Sequence, residues 1–127
     1  TDQDWVNRDH IDAALLASVD TMHRVALTLP PRDVAALARS VNRARRDGIA
    51  VELVVTPFLP SYRAKLANFP QWKASLQESL GAPILDYSSA VSDDRDFADR
   101  LHLNFAGSRA FLDRLVADGV FDRVEHP

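Results

Sequence analysis

The chain has no cysteine, one methionine and only four glycines among its 127 residues. Without cysteine there is no thiol nucleophile, no disulfide and no cysteine-ligated metal. The compartment stays open, because many exported proteins also lack disulfides. No apolar run approaches the roughly 20 residues that a spanning helix needs, so no membrane span is expected. An excess of basic charge is also missing. The formal net charge is -3, and the few basic clusters are interleaved with acids, which removes the reason to expect nucleic acid as a partner. No signal peptide is visible. The first residue is Thr1, which suggests an excised or processed piece and makes the missing leader uninformative about location.

What is present is ordinary for a globular protein: 46% hydrophobic and 26% charged residues. The length suits one domain or part of one. There is no internal repeat, low-complexity tract or long linker. Apolar spacing predicts a helix over residues 8–23, through Ile11, Leu15, Leu16 and Val19. An extended stretch over 25–29 stops at Pro30 and Pro31. A second helix is expected to start at an Asp33 cap, bury Val34, Leu37, Ala38 and Val41, and stop at Gly48.

Residues 49–56 are β-branched and almost continuously apolar, as in a strand of a sheet covered on both faces, and Pro57 ends them. Helices follow over 61–67 and 71–80, broken at Pro70, with Gly81 closing the second. A short strand over 83–87, a polar loop over 88–100 and an amphipathic helix over 105–118 complete the chain. That last helix is expected to bury Phe111, Leu112, Leu115 and Val116. The alternation implies an α/β fold with a parallel sheet flanked by helices. Two strands make a very narrow sheet for that architecture. Further strands are therefore expected outside this chain, which would be the C-terminal part of a larger domain.

The chemically pointed segment is Asp99-Arg100-Leu101-His102-Leu103-Asn104, ahead of Gly107 and the last helix. A carboxylate three residues before an imidazole can hold one tautomer and stabilise the imidazolium, while the second ring nitrogen takes a proton from a nucleophile. The plainer alternative is a surface loop in which Asp99 caps the helix and His102 is only solvated. Asn104 as N-cap and Gly107 as a close-packing position need no chemistry.

Asp-x-x-His-Leu-Asn-x-x-Gly at 99–107 resembles the C-terminal block of the SGNH/GDSL hydrolase superfamily. It is most similar to the branch that moves acetyl groups on bacterial exopolysaccharides such as alginate. Residues 48–57, followed by Pro60-Ser61-Tyr62, resemble that branch's central strand and loop, and the resemblance covers residues 30–118. It implies a flavodoxin-like three-layer sandwich and a Ser-His-Asp triad to which Asp99 and His102 contribute two members. It also implies an acyl ester or polysaccharide substrate, no cofactor, and a periplasmic or secreted location.

The family's Gly-Asp-Ser nucleophile block is absent, and the first glycine is Gly48. The serine and the oxyanion donors would come from an upstream part of the same protein or from another chain. Water as acyl acceptor makes such an enzyme an esterase, and a sugar hydroxyl makes it an O-acetyltransferase. The alternative function is a non-catalytic α/β module that binds a glycan or a protein.

Thr56, Ser61 and Tyr62 are candidate substrate contacts, because open α/β sheets place ligands at the carboxyl ends of their strands. A loop packed by Phe58 and capped by Ser61 explains them equally well. The acidic run at 93–96 lacks the spacing of a calcium loop, and His10, His23 and His126 share no ligand spacing, so no metal is expected. Arg39, Arg43, Arg45 and Arg46 complement a helix C-terminus on a solvated face. Trp72, Leu76 and Leu80 have the spacing of a core stripe. Trp5 would dock onto the missing part of the domain.

Overall fold

Proline and glycine set most of the boundaries. The computed structural model describes residues 10–123; Trp5, His126 and the first two residues of the helix expected over 8–23 lie outside them. Helix α1 (Ala13–Thr21) begins at Asp12, whose side chain accepts from the Ala14 amide at 2.7 Å. That cap places the start later than the apolar spacing implies. Helix α2 (Pro31–Arg46) begins at Pro31, so Asp33 lies in the first turn and is not the cap. Proline at that position sacrifices no intrahelical bond and has its φ preset for the helix. At the other end Gly48 takes φ +76°, and the amides of Gly48 and Ile49 return to the carbonyls of Arg45 and Ala44. This is a Schellman stop, which favours glycine because a Cβ is costly at positive φ.

The chain then forms a parallel two-stranded sheet, β1 (Val54–Val55) with β2 (Leu85–Asp86), in the register Val54↔Leu85 and Val55↔Asp86. Both strands are shorter than expected. Residues 49–52 have no neighbouring strand among the described residues, and Ile49 is 59% exposed. The stretch expected to be extended over 25–29 does not join the sheet. Val25 instead bridges Leu66, and the Asn68 side chain brackets the Leu27 backbone, accepting from its N–H at 2.7 Å and donating to its C=O at 2.9 Å.

Two helices lie between the strands. Helix α3 (Pro60–Arg63) is shorter than the 61–67 expected, because residues 64–66 leave the helix and Leu66 reaches the bridge to Val25. Helix α4 (Phe69–Leu80) contains Pro70 in its first turn, so Pro70 starts this helix and does not separate two. Gly81 closes it at φ +63°. Phe69, Leu59, Phe97 and Val19 are essentially inaccessible and lie in one apolar cluster with Tyr62, Leu66, Leu80 and Ile84. Trp72 stacks on Phe69 at 5.9 Å and, with Leu76, packs against this core.

After β2 the loop contains one 3-10 turn (Asp94–Asp96) and leads to helix α5 (Phe105–Ala117). The inward face of α5 differs from the expected one. Phe111 packs edge-on against Tyr87 at 5.6 Å and Leu115 is half-buried, but Leu112 and Val116 are 51% and 59% exposed. The cause is Gly107, the one buried residue of the helix, which brings α5 directly onto the Asp96 backbone. A Cβ at Gly107 would overlap the Asp96 carbonyl oxygen. Gly107→Ala is therefore expected to lower stability by about 2–3 kcal/mol, because the obstructing atom is backbone. Urea denaturation checks this, and an unchanged midpoint would show that α5 does not seat there.

Candidate active site

Asp99 and His102 sit on the loop between β2 and α5, and the backbone of this loop is heavily tied. Phe97 and Leu103 form an antiparallel bridge, and the Ala98 amide donates to the His102 carbonyl at 2.8 Å. Phe97 and Ala98 are buried, which fixes the loop base to the core. Below the loop, Asn104 is 1% exposed. Its side-chain oxygen accepts from the Gly107 amide at 2.9 Å and its amide donates to the Arg95 carbonyl at 2.6 Å. Asn104 is thus both the helix cap and the link between helix and loop.

Within this frame Asp99 Oδ1 accepts from the amides of Leu101 and His102, each at 2.8 Å. Both carboxylate oxygens lie 2.9 Å from His102 Nδ1. An ionised carboxylate only accepts, so Nδ1 carries the proton and the lone pair of the neutral ring is on Nε2. The His102 side chain is 56% exposed and that of Asp99 31%. Partial burial pushes the Asp99 carboxyl up, but the Leu101 amide, the His102 ring and the His102 amide outweigh it and hold the group below its ordinary value.

The sign of the pH dependence follows. A carboxyl with a depressed folded-state value stabilises fully above its unfolded value of about 4 and loses that contribution as pH falls through the folded value. The stability difference between wild type and Asp99→Asn should be flat near neutrality and shrink on acidification below about pH 4. Denaturation midpoints across that range check it. A difference that grows on acidification would contradict the pairing.

The other candidates are distributed unevenly. Tyr62 is buried at 8% exposure and lies beside the loop: the Arg100 guanidinium sits 5.4 Å from its ring centroid, and the Leu59 amide donates to the Arg100 carbonyl at 3.0 Å. Ser61 Oγ is buried with no hydrogen-bond partner among the described residues. Thr56 is exposed and lines an apolar cleft of about 460 Å³ between β1 and α4, together with Trp72 and Leu76. No residue of the 97–103 loop lines that cleft.

Arg63 was not singled out in the sequence, yet it donates from Nε to the buried Ser88 Oγ at 3.0 Å and lies 4.0 Å over the Phe69 ring. Its position directly after Ser61-Tyr62, beyond the carboxyl end of β1, was the available signal. In the acidic run, Asp93 pairs with Arg95 at 2.9 Å, and that hydrogen bond lowers the Asp93 carboxyl. His10 and His23 are exposed, and among the described residues no three His, Asp or Glu gather in a metal-holding group. No described helix is long and apolar enough to cross a membrane. Comparisons with protein-family models, curated proteins and solved structures returned no match for this chain.

Proposed function

We propose that Asp99 and His102 are the acid-base half of a Ser-His-Asp triad in an SGNH-like acyl ester hydrolase or O-acetyltransferase acting on acyl esters, including those of polysaccharides. The observation that carries the reading is the contact of both Asp99 oxygens with His102 Nδ1, on a loop whose backbone is pinned to the core. A carboxylate on one ring nitrogen leaves the other as the base, which is the arrangement acyl transfer from a serine requires. In this proposal the described sheet is the C-terminal part of a three-layer sandwich. The remaining strands, the serine and the oxyanion donors come from another segment of the same protein, and such an enzyme works outside the cytoplasm.

His102 takes the proton of the serine hydroxyl as that oxygen attacks the acyl carbonyl, then returns it to the departing alcohol. Asp99 keeps the ring oriented and balances its transient charge. The same sequence runs in reverse when water or a sugar hydroxyl accepts the acyl group. Tyr62 packs beside the loop, against its Arg100, beyond the carboxyl end of β1, where the substrate would approach.

The test is turnover of p-nitrophenyl acetate by this chain alone and by the complete protein. The chain alone is expected to give negligible turnover, since it has a base and no activated nucleophile. Robust hydrolysis by the chain alone that disappears on replacing Ser61, Ser88 or Ser89 would overturn the proposal. The geometry weighs against Ser88, which is 1% exposed and already accepts from Arg63. A complete protein inert toward every acyl ester would favour the glycan- or protein-binding module.

A further inference from the structure

A second polar site lies beside α4. Arg63 is held in one orientation by two independent contacts. Its Nε donates to Ser88 Oγ, and its guanidinium lies over the Phe69 ring; Ser88 and Phe69 are 1% and 2% exposed. Its two terminal nitrogens take no partner among the described residues. Arg63 lines a cavity of about 340 Å³ together with Lys73, Gln77 and Asp86. Lys73 has no ion pair among the described residues. Gln77 accepts from the Ile84 amide through Oε1 at 2.8 Å, which leaves its amide nitrogen as a donor. Asp86 Oδ1 accepts from the Ser88 amide at 2.9 Å, so its carboxylate is also fixed in place.

We infer that this cavity binds a small, singly charged carboxylate ligand that also carries hydroxyl or amino groups. Arg63 and Lys73 take the carboxylate, and Asp86 accepts from the hydroxyl or amine. A guanidinium presents parallel donors that match a carboxylate, and one already immobilised loses little side-chain entropy on binding. Two cations against one carboxylate leave a single net positive charge. That balance suits a monoanion and works against a dianion, whose second charge meets Asp86. The volume is at the lower end of small-molecule sites, of order 300 Å³, and fits one compact ligand. The assignment does not depend on the acyl-transfer proposal, whose tests read His102 and Asp99.

The experiment is titration of the isotopically labelled chain with D-gluconate, glucose and inorganic phosphate, followed by backbone amide resonances. Gluconate is expected to shift the amides of Lys73, Gln77 and Ser88 saturably, glucose to leave them in place, and phosphate to bind more weakly. Lys73→Gln, on a half-buried side chain without an ion pair, should keep the spectrum folded and weaken gluconate about tenfold. Arg63→Lys keeps the charge, loses the paired donors and should weaken binding at least as much. If that variant unfolds through loss of the Ser88 contact, Lys73→Gln decides alone. Equal shifts with glucose, phosphate binding more tightly than gluconate, absence of saturable shifts, or unchanged affinity in Lys73→Gln would each overturn the inference.

Discussion

His102→Ala in the complete protein is expected to reduce acyl turnover by about a million-fold, the scale seen when the base of a serine triad is removed. The loss is confined to chemistry because the side chain contributes little to folding. It is 56% exposed, and its backbone contacts to Ala98 and Asp99 Oδ1 do not require the ring. The change in stability should stay within about ±0.5 kcal/mol. Paired measurement of acyl transfer, to water and to a sugar acceptor, with thermal melting of each variant separates the two effects. A near-normal rate with a normal melting temperature would remove the catalytic proposal.

Asp99→Asn should lower kcat by about ten-thousand-fold while leaving the loop folded. The geometry explains why asparagine separates the roles. Asp99 Oδ1 accepts from the Leu101 and His102 amides, and an asparagine oxygen in that position accepts both again. The amide nitrogen then replaces Oδ2 opposite His102 Nδ1, where the carboxylate oxygen lies at 2.9 Å. Oδ1 is also 2.9 Å from Nδ1 but already accepts from two amides, so the new amide donor favours an unprotonated Nδ1, which moves the proton to Nε2 and removes the basic lone pair there. Asp99→Ala is the contrasting variant. It removes the acceptor of two amides and should cost about 1–2 kcal/mol of stability in addition to activity. Equal rates for Asp99→Asn and wild type would show that the carboxylate only shapes the turn.

The alternation of helical and extended segments, and the glycine and proline punctuation, were legible from local chemistry. Gly48 and Gly81 stop helices at positive φ as expected, and Asn104 caps α5 through the Gly107 amide. The mixed α/β class with parallel strands followed from the order of elements. Boundaries set by competition between nearby groups were not legible. Asp33 and Pro31 both suit a helix start, and the preset φ of proline prevailed. Asn68 precedes α4 in a cap position but gives its side chain to Leu27, a partner far away in sequence.

By itself the sequence determined that a carboxylate and an imidazole three residues apart precede a capped helix, because both the spacing and the cap are local. It also determined that thiol chemistry is excluded. Only the tertiary structure decided that strands β1 and β2 are short, since a strand extends only as far as a neighbour pairs with it. The tertiary structure likewise decided which face of α5 turns inward. Helical periodicity marks an apolar stripe, but the seating of Gly107 on Asp96 sets the rotation, leaving Leu112 and Val116 exposed. Arg63 became a fixed guanidinium for the same reason. Its partners, Ser88 and Phe69, reach it through folding and not through proximity in the chain.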